Sequence, residues 1–297
     1  MLKCIVVPIE GSARDAEAVA MARRIALQLH EGIVLIHVAP VLFDTRDVIV
    51  AEQHLDELAR TLRDEGIETH FIMDYGEPAA AIADISRQRH AQMIVLAPEN
   101  RALLEVLWHP RVSSRLVGKA TTPLFILPDM PLEQDSPAPL GEPDARVLLA
   151  LDGSLLAEAA LPLAVELAQA YARPLVLVRV VAPQFMIGAG VEAIKAQREA
   201  QYAEEAEAHH YLVETRKRVA AETHLPVETI ELVGPVAEQL THLAASRPGS
   251  VLVMGTHGRT GLARVALGSV AAGALKHATT PLVIVPSHVA TGNTDQR

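Results

Sequence analysis

Val251-Leu252-Val253-Met254-Gly255-Thr256-His257-Gly258, followed after nine residues by Gly268-Ser269, is an apolar strand that runs into two glycine-opened turns. A strand with no charge along it belongs inside a sheet covered on both faces. Glycines after such a strand let backbone N–H groups come close to an anion. A serine at the start of the next helix adds a hydroxyl donor to the helix's uncapped N–H groups and its positive dipole end. The stretch reads as the end of a parallel strand shaped to hold a phosphate chain.

Working outward, the chain is a tandem repeat. Ile5-Val6-Val7-Pro8-Ile9-Glu10-Gly11-Ser12 falls on the stretch that ends at Leu151-Asp152-Gly153-Ser154, and Ile36-His37-Val38 falls on Val178-Arg179-Val180 with the same offset. From Gly76, which falls on Gly234, the offset grows and then stays constant as far as Ala120-Thr121-Thr122-Pro123-Leu124 on Ala278-Thr279-Thr280-Pro281-Leu282. The second copy's extra residues therefore lie between its second and third strands. Half a chain is too long a period for a solenoid, so each copy is expected to be a domain. The boundaries are 1–129, a proline-bearing linker at 130–144, the second domain at 145–288 and a polar tail at 289–297.

Composition limits the function classes. The 297 residues are 50% hydrophobic, enough for two cores, and the net charge of −10 argues against general binding of nucleic acid. No apolar run is long enough to span a bilayer and no secretory signal is visible, so a cytoplasmic protein without membrane attachment is expected. The single cysteine, Cys4, stands on an apolar strand where an inert thiol is expected. Residues 239–294 carry Arg247, Arg259, Arg264 and Lys276 and no acid, which sets a positive field around the glycine motif.

Each copy alternates strand and helix. In the second, the spacing predicts strands at 147–151, 174–181, 227–233, 250–254 and 281–285, and helices at 155–171, 191–222, 236–246 and 269–277. Ser154 is a natural N-cap, and Ser12-Ala13-Arg14-Asp15 in the first copy has the form of a capping box. Such alternation predicts two tandem open, mostly parallel five-stranded sheets with helices on both faces, a Rossmann-like α/β class. Ligands of such sheets sit beyond the carboxyl ends of the strands where the strand order reverses, and Asp152 and Gly255 both lie at such ends.

These residues bring a resemblance into view. The chain resembles a universal stress protein of the tandem kind: the family pattern Gly, two residues, Gly, nine residues, Gly, Ser or Thr is met by Gly255, Gly258, Gly268 and Ser269. The strand-one turns Glu10-Gly11-Ser12 and Asp152-Gly153-Ser154 and both Thr-Thr-Pro endings extend the likeness over nearly all of the chain outside linker and tail. What the resemblance implies is ATP held in the second copy; Asp152 could help to hold Mg2+ there, provided that phosphates and waters complete its shell. Ala150, Leu151, Asp152, Val180, Met254 and Gly255 would lie near the nucleoside, and Gly258, Gly268, Ser269 and Val270 at the phosphates. His257 and Arg259 sit in the loop, facing either phosphates or solvent. The family also associates through its final strand, which implies an internal pseudo-dimer of the two copies and allows a homodimer of whole chains.

The first copy departs from the pattern. Ala97, Asn100, Pro110 and Arg111 stand where the glycines and serine belong, Pro98 removes a backbone donor, and Glu10 replaces the aspartate. ATP is not expected there, and Leu103–Trp108 reads as a packing surface. No nucleophile with its base and no His or Cys pair at ligand spacing is present, so neither catalysis beyond slow ATP hydrolysis nor a protein-held metal is expected. Two functions follow: an ATP-binding stress-response regulator, or a nucleotide-independent scaffold or ligand holder that works through the long helix or the first domain.

Overall fold

The computed structural model describes residues 3–39, 45–98, 116, 119–128, 139–183, 191–256 and 267–286. His257, Gly258 and Arg259 of the glycine loop, and Asn100, Pro110, Arg111 and Leu103–Trp108 of the first copy, lie outside the described residues. The chain divides into two compact units.

The first unit runs β1 (Cys4–Pro8), α1 (Asp15–Leu29), β2 (Gly32–Ala39), α2 (Thr45–Asp64), β3 (Thr69–Tyr75), α3 (Pro78–Gln88), β4 (Met93–Leu96) and β5 (Leu124–Ile126). Its strands pair in parallel in the order β3-β2-β1-β4-β5. Central β1 is wholly apolar at Ile5, Val6 and Val7, each 0% exposed. That is the composition of a strand covered on both faces. Cys4 ends the same buried strand, and burial pushes its thiol up.

In the second unit the elements are β6 (Val147–Ala150), α4 (Leu155–Glu158), α5 (Leu161–Ala170), β7 (Leu175–Val181), α6 (Val191–Thr223), β8 (Val227–Val233), α7 (Val236–Ala245), β9 (Val251–Gly255) and α8 (Ser269–His277). The parallel order is β9-β6-β7-β8, so the reversal falls between β6 and β9. The expected helix over 155–171 is two helices. Pro162 stands in the first turn of α5; it has no N–H for the carbonyl one turn back, and its ring crowds that carbonyl.

The mostly parallel α/β class holds, but the strands do not divide five and five. The chain's last strand, β10 (Leu282–Val285), belongs to the first unit and runs antiparallel to β5, with Leu282 opposite Ile126 and Ile284 opposite Leu124. Among the described residues the first unit thus has six strands and the second four. The reason is the open edge: a short apolar strand such as β5 leaves a row of backbone groups that another strand satisfies. The proline-bearing linker, whose composition suggests a semi-extended segment, is packed over its described part. Leu140 is 3% exposed. Its N–H donates to the Gly249 carbonyl at 2.6 Å, and Arg173 donates to the carbonyls of Leu140 and Gly141. These residues form part of the second unit.

Candidate functional site

In the second unit the carboxyl ends of β6, β7 and β9 and the starts of α7 and α8 enclose a cavity of about 370 Å³. Leu149 lies opposite Val253 and Ala150 opposite Val178, which brings the three strand ends level. The chain leaves β6 through Leu151, whose N–H donates to the Val178 carbonyl at 2.8 Å, and turns sharply at Gly153, φ +85. That dihedral favours glycine. The turn folds Asp152 against Ser154: Asp152 Oδ1 accepts from the Ser154 N–H at 2.9 Å and from its hydroxyl at 2.6 Å. Ser154 Oγ in turn accepts from the Ala157 N–H at 3.1 Å, the N-cap expected from the sequence.

On the other side of the reversal, buried Thr256 follows β9 and its carbonyl accepts from the Gly268 N–H at 2.9 Å. Gly268 is the N-cap of α8 and has no side chain with which to cap it. Its φ of −58 is open to any residue. Glycine is therefore not required here by the turn, and it lines the cavity wall without a side chain. The helix is seated by a second glycine, Gly273, where an added Cβ would come within 2.8 Å of the Ala237 Cβ on α7.

Of the residues expected from the sequence, Ala150, Leu151, Asp152, Val180, Met254, Gly255, Gly268, Ser269 and Val270 all line this one cavity. Val178, Val236 and Leu240 complete an apolar wall. Sequence reading missed Thr256, Arg179 and Glu204, which also line it. Arg179 carried a signal, being the only charge in the apolar run of β7.

Arg179 is 3% exposed and is held from α6: its guanidinium reaches Glu207 Oε1 at 3.3 Å and lies 5.4 Å from the centroid of the Tyr211 ring. Tyr211 donates its hydroxyl to Glu158 Oε1 at 2.9 Å, and Arg218 donates to Glu158 Oε2 at 2.7 Å. Burial first, and the Glu158 carboxylate second, push the Tyr211 hydroxyl well above the ordinary phenol range. These contacts tie α4, β7 and α6 together beside the cavity. Chemically, the site offers a long apolar wall, one aspartate at the strand reversal, and the uncapped first turn of a helix.

The first unit resolves the same strand ends differently. Asp15 accepts from the Gly11 and Ser12 N–H groups at 2.8 and 3.1 Å, and the Ser12 hydroxyl accepts from the Arg14 N–H at 3.2 Å. That brings the Arg14 guanidinium over the sheet's end. It donates to the Pro98 carbonyl beyond β4 and to the Pro128 carbonyl beyond β5, both at 2.6 Å, and pairs with Glu17 at 2.7 Å.

A fold of this kind, with a ligand-sized cavity at the strand reversal, defines an α/β binding module, and comparison with known proteins gives its family. The model of the universal stress protein family matches residues 1–128 and again 145–286, and the chain belongs to that family. Universal stress protein MJ0531 of Methanocaldococcus jannaschii is 38% identical over 69 residues, a match spanning 23% of this chain and 41% of that protein. Among solved structures, a functionally unknown protein of Pseudomonas aeruginosa PAO1, PA1789, shares the fold at a TM-score of 0.68 and 18% identity, over 98% of this chain and 95% of that one. A universal stress protein of Archaeoglobus fulgidus DSM 4304 does so at 0.65 and 16%, over 95% and 96%. Among the described residues, no helix is long and apolar enough to cross a membrane.

Proposed function

We propose that this chain is an ATP-binding regulatory protein of the stress response, with nucleotide held in the second unit and not in the first. The observation that carries the reading is the convergence of nine motif positions, from Ala150 to Val270, on one cavity beneath the uncapped start of α8. The residues present fit the ligand. Val178, Val180 and Met254 offer a flat apolar wall to a base, and the first-turn amides of α8 with the Ser269 hydroxyl suit phosphate oxygens. Asp152 would help to hold Mg2+, whose chemistry is neutralisation of phosphate charge, with phosphates and waters completing the shell.

In the first unit Arg14 occupies the strand end with hydrogen bonds of its own, which supports a purely structural role for that end. The pairing of β10 with β5 supports an internal pseudo-dimer through the final strands. On this reading the protein works by binding and readout, with at most slow hydrolysis of the nucleotide.

Titration with ATP and Mg2+, followed by thermal unfolding, tests the reading. The unaltered chain is expected to be stabilised. A variant carrying Gly258→Ala and Gly268→Ala is expected to lose that stabilisation while keeping its unliganded melting temperature. Absence of stabilisation in the unaltered chain at millimolar ATP favours the nucleotide-independent scaffold instead.

A further inference from the structure

Resting on that reading, we infer that Glu158 is a positioning residue of the site: it locks the Asp152 turn to α6, so that nucleotide in the cavity and the long helix are coupled. The turn needs such a lock. Asp152, Gly153 and Ser154 lead into α4, which has four residues, and of these only Ala157 is buried. Pro162, with no N–H to give, ends the ladder that would join α4 to α5. In the first unit the matching turn leads into α1, an unbroken helix of 15 residues whose buried positions run from Asp15 to Ala26. The apolar face of α1 holds that helix in place, and α4 is too short to have one.

Polar contacts take over that task. Each oxygen of the Glu158 carboxylate accepts from α6: Oε1 from the Tyr211 hydroxyl at 2.9 Å, and Oε2 from the Arg218 guanidinium at 2.7 Å. Tyr211 and Arg218 lie about two turns apart on one face of the helix and grip the carboxylate together. In the first copy Ala16 stands at the place of Glu158 and has no group to offer such a grip. The lock also joins two parts of the cavity lining, Arg179 and Asp152. The Arg179 guanidinium lies over the Tyr211 ring, Tyr211 holds Glu158, and the helix that ends at Glu158 is capped by Ser154, against which Asp152 folds. Glu158 is not part of the lining, so it acts on a ligand through that turn. Coupling of this kind is reciprocal: a contact that steadies the turn for a ligand is itself steadied when the ligand binds.

The test uses the full chain, calorimetric titration with ATP and Mg2+, and hydrogen exchange of α6. Glu158→Ala is expected to weaken ATP about 10-fold, the lower end of the range for a group that orients a ligand-holding residue. In an Asp152→Asn background, which keeps an acceptor for Ser154 and removes the charge, the same change is expected to have no further effect. ATP is expected to slow exchange of the amides between Tyr211 and Arg218 in the unaltered chain, and not in Glu158→Ala. Tyr211→Phe combined with Arg218→Met opens the lock from the other side; it is expected to give the same loss of affinity, and it decides the matter if Glu158→Ala melts early without ligand. Unchanged ATP affinity in these variants, an undiminished loss in the Asp152→Asn background, or ATP binding that leaves α6 exchange unaltered overturns the role given to Glu158 alone. Failure of the unaltered chain to bind ATP instead overturns the nucleotide reading on which it rests.

Discussion

The carbonyl just beyond the fourth strand of each copy must be satisfied, and the two units do it with different groups. In the first, the Pro98 carbonyl takes the Arg14 guanidinium; in the second, its counterpart, the Thr256 carbonyl, takes the Gly268 backbone N–H. One donor is a side chain carried over the sheet's end by α1, and it brings a positive charge with it. The other is the backbone of the residue that opens α8, and it adds no side chain to the space above. The same architecture thus carries an arginine over the strand ends in one unit and a cavity at the strand ends in the other.

The largest expected effect comes from removing the arginine. Arg14 is 8% exposed, and Arg14→Ala strips donors from two carbonyls and a partner from Glu17. A loss of about 3 kcal/mol is expected in chemical denaturation, as for breaking other buried charged contacts. ATP binding is expected to be unchanged on the proposed reading that the nucleotide is held in the second unit. A variant that loses less than about 1 kcal/mol would show that the guanidinium is not what holds that end together.

Next comes the reverse exchange. Leu156 occupies in the second copy the place of Arg14 in the first. It is only half-buried, so a longer side chain can be taken up there without emptying the core. Leu156→Arg is expected to bring a guanidinium over the cavity and to abolish stabilisation by ATP. At 100 times the dissociation constant that stabilisation is about 2.7 kcal/mol, so the difference is readily read as a melting shift. Leu156→Ala, which removes the leucine without adding a charge, is expected to keep the shift. Undiminished protection by ATP in Leu156→Arg would break the proposed equivalence of the two strand ends.

The second unit also has a contact chain beside its site, Arg179 to Tyr211 to Glu158 to Arg218, and Tyr211→Phe sharpens its contribution. Loss of one hydrogen bond to a carboxylate is expected to cost about 1.5 kcal/mol near neutral pH. The pH dependence has a definite sign. The folded Tyr211 hydroxyl titrates above its ordinary value of 10.0, so its stabilisation is complete below pH 10 and is lost as pH rises from there through the folded value. Denaturation profiles of the unaltered protein should therefore fall above pH 10 more steeply than those of Tyr211→Phe; parallel profiles would remove the hydroxyl from the account.

Much of this was legible in the sequence, and the rest was hidden for physical reasons. Strand periodicity gave the α/β order because buried parallel strands carry continuous apolar runs, and Ser154 gave a helix start because its hydroxyl has one obvious amide to accept from. The pairing of β10 with β5 was legible only through the family resemblance, which implied association through the final strands; composition alone lets a four-residue apolar strand pair with either copy's edge. The role of Gly268 was read as turn-making when its dihedral is ordinary. Arg14 was passed over as the middle of a capping box, since nothing local says that a guanidinium will reach carbonyls at sequence separations of 84 and 114. Glu204 was submerged in a long charged helix whose inward stripe emerges only once the sheet beneath it is known.

The smallest expected effect lies at the helix after the third strand, where the copies differ again. Glu77 caps α3, accepting from the Ala79 and Ala80 N–H groups at 3.3 and 2.9 Å and from Lys119 at 2.8 Å, whereas its counterpart Pro235 gives α7 no side-chain cap. The Lys119 hydrogen bond, foremost, with help from the Ala80 and Ala79 amides, holds the Glu77 carboxyl below its ordinary 4.5. A lowered folded value means stabilisation that is complete above about pH 4.5 and is lost as pH falls through the folded value. The group is partly exposed, so Glu77→Gln is expected to cost no more than about 1 kcal/mol at pH 7, and nothing once the pH lies below both values. Pro235→Ala is expected to show no such acid dependence, because no carboxylate is involved. Convergence of the unaltered protein and Glu77→Gln in acid, with a gap at pH 7, would assign the difference to the charged cap; a gap that persisted in acid would assign it to packing instead.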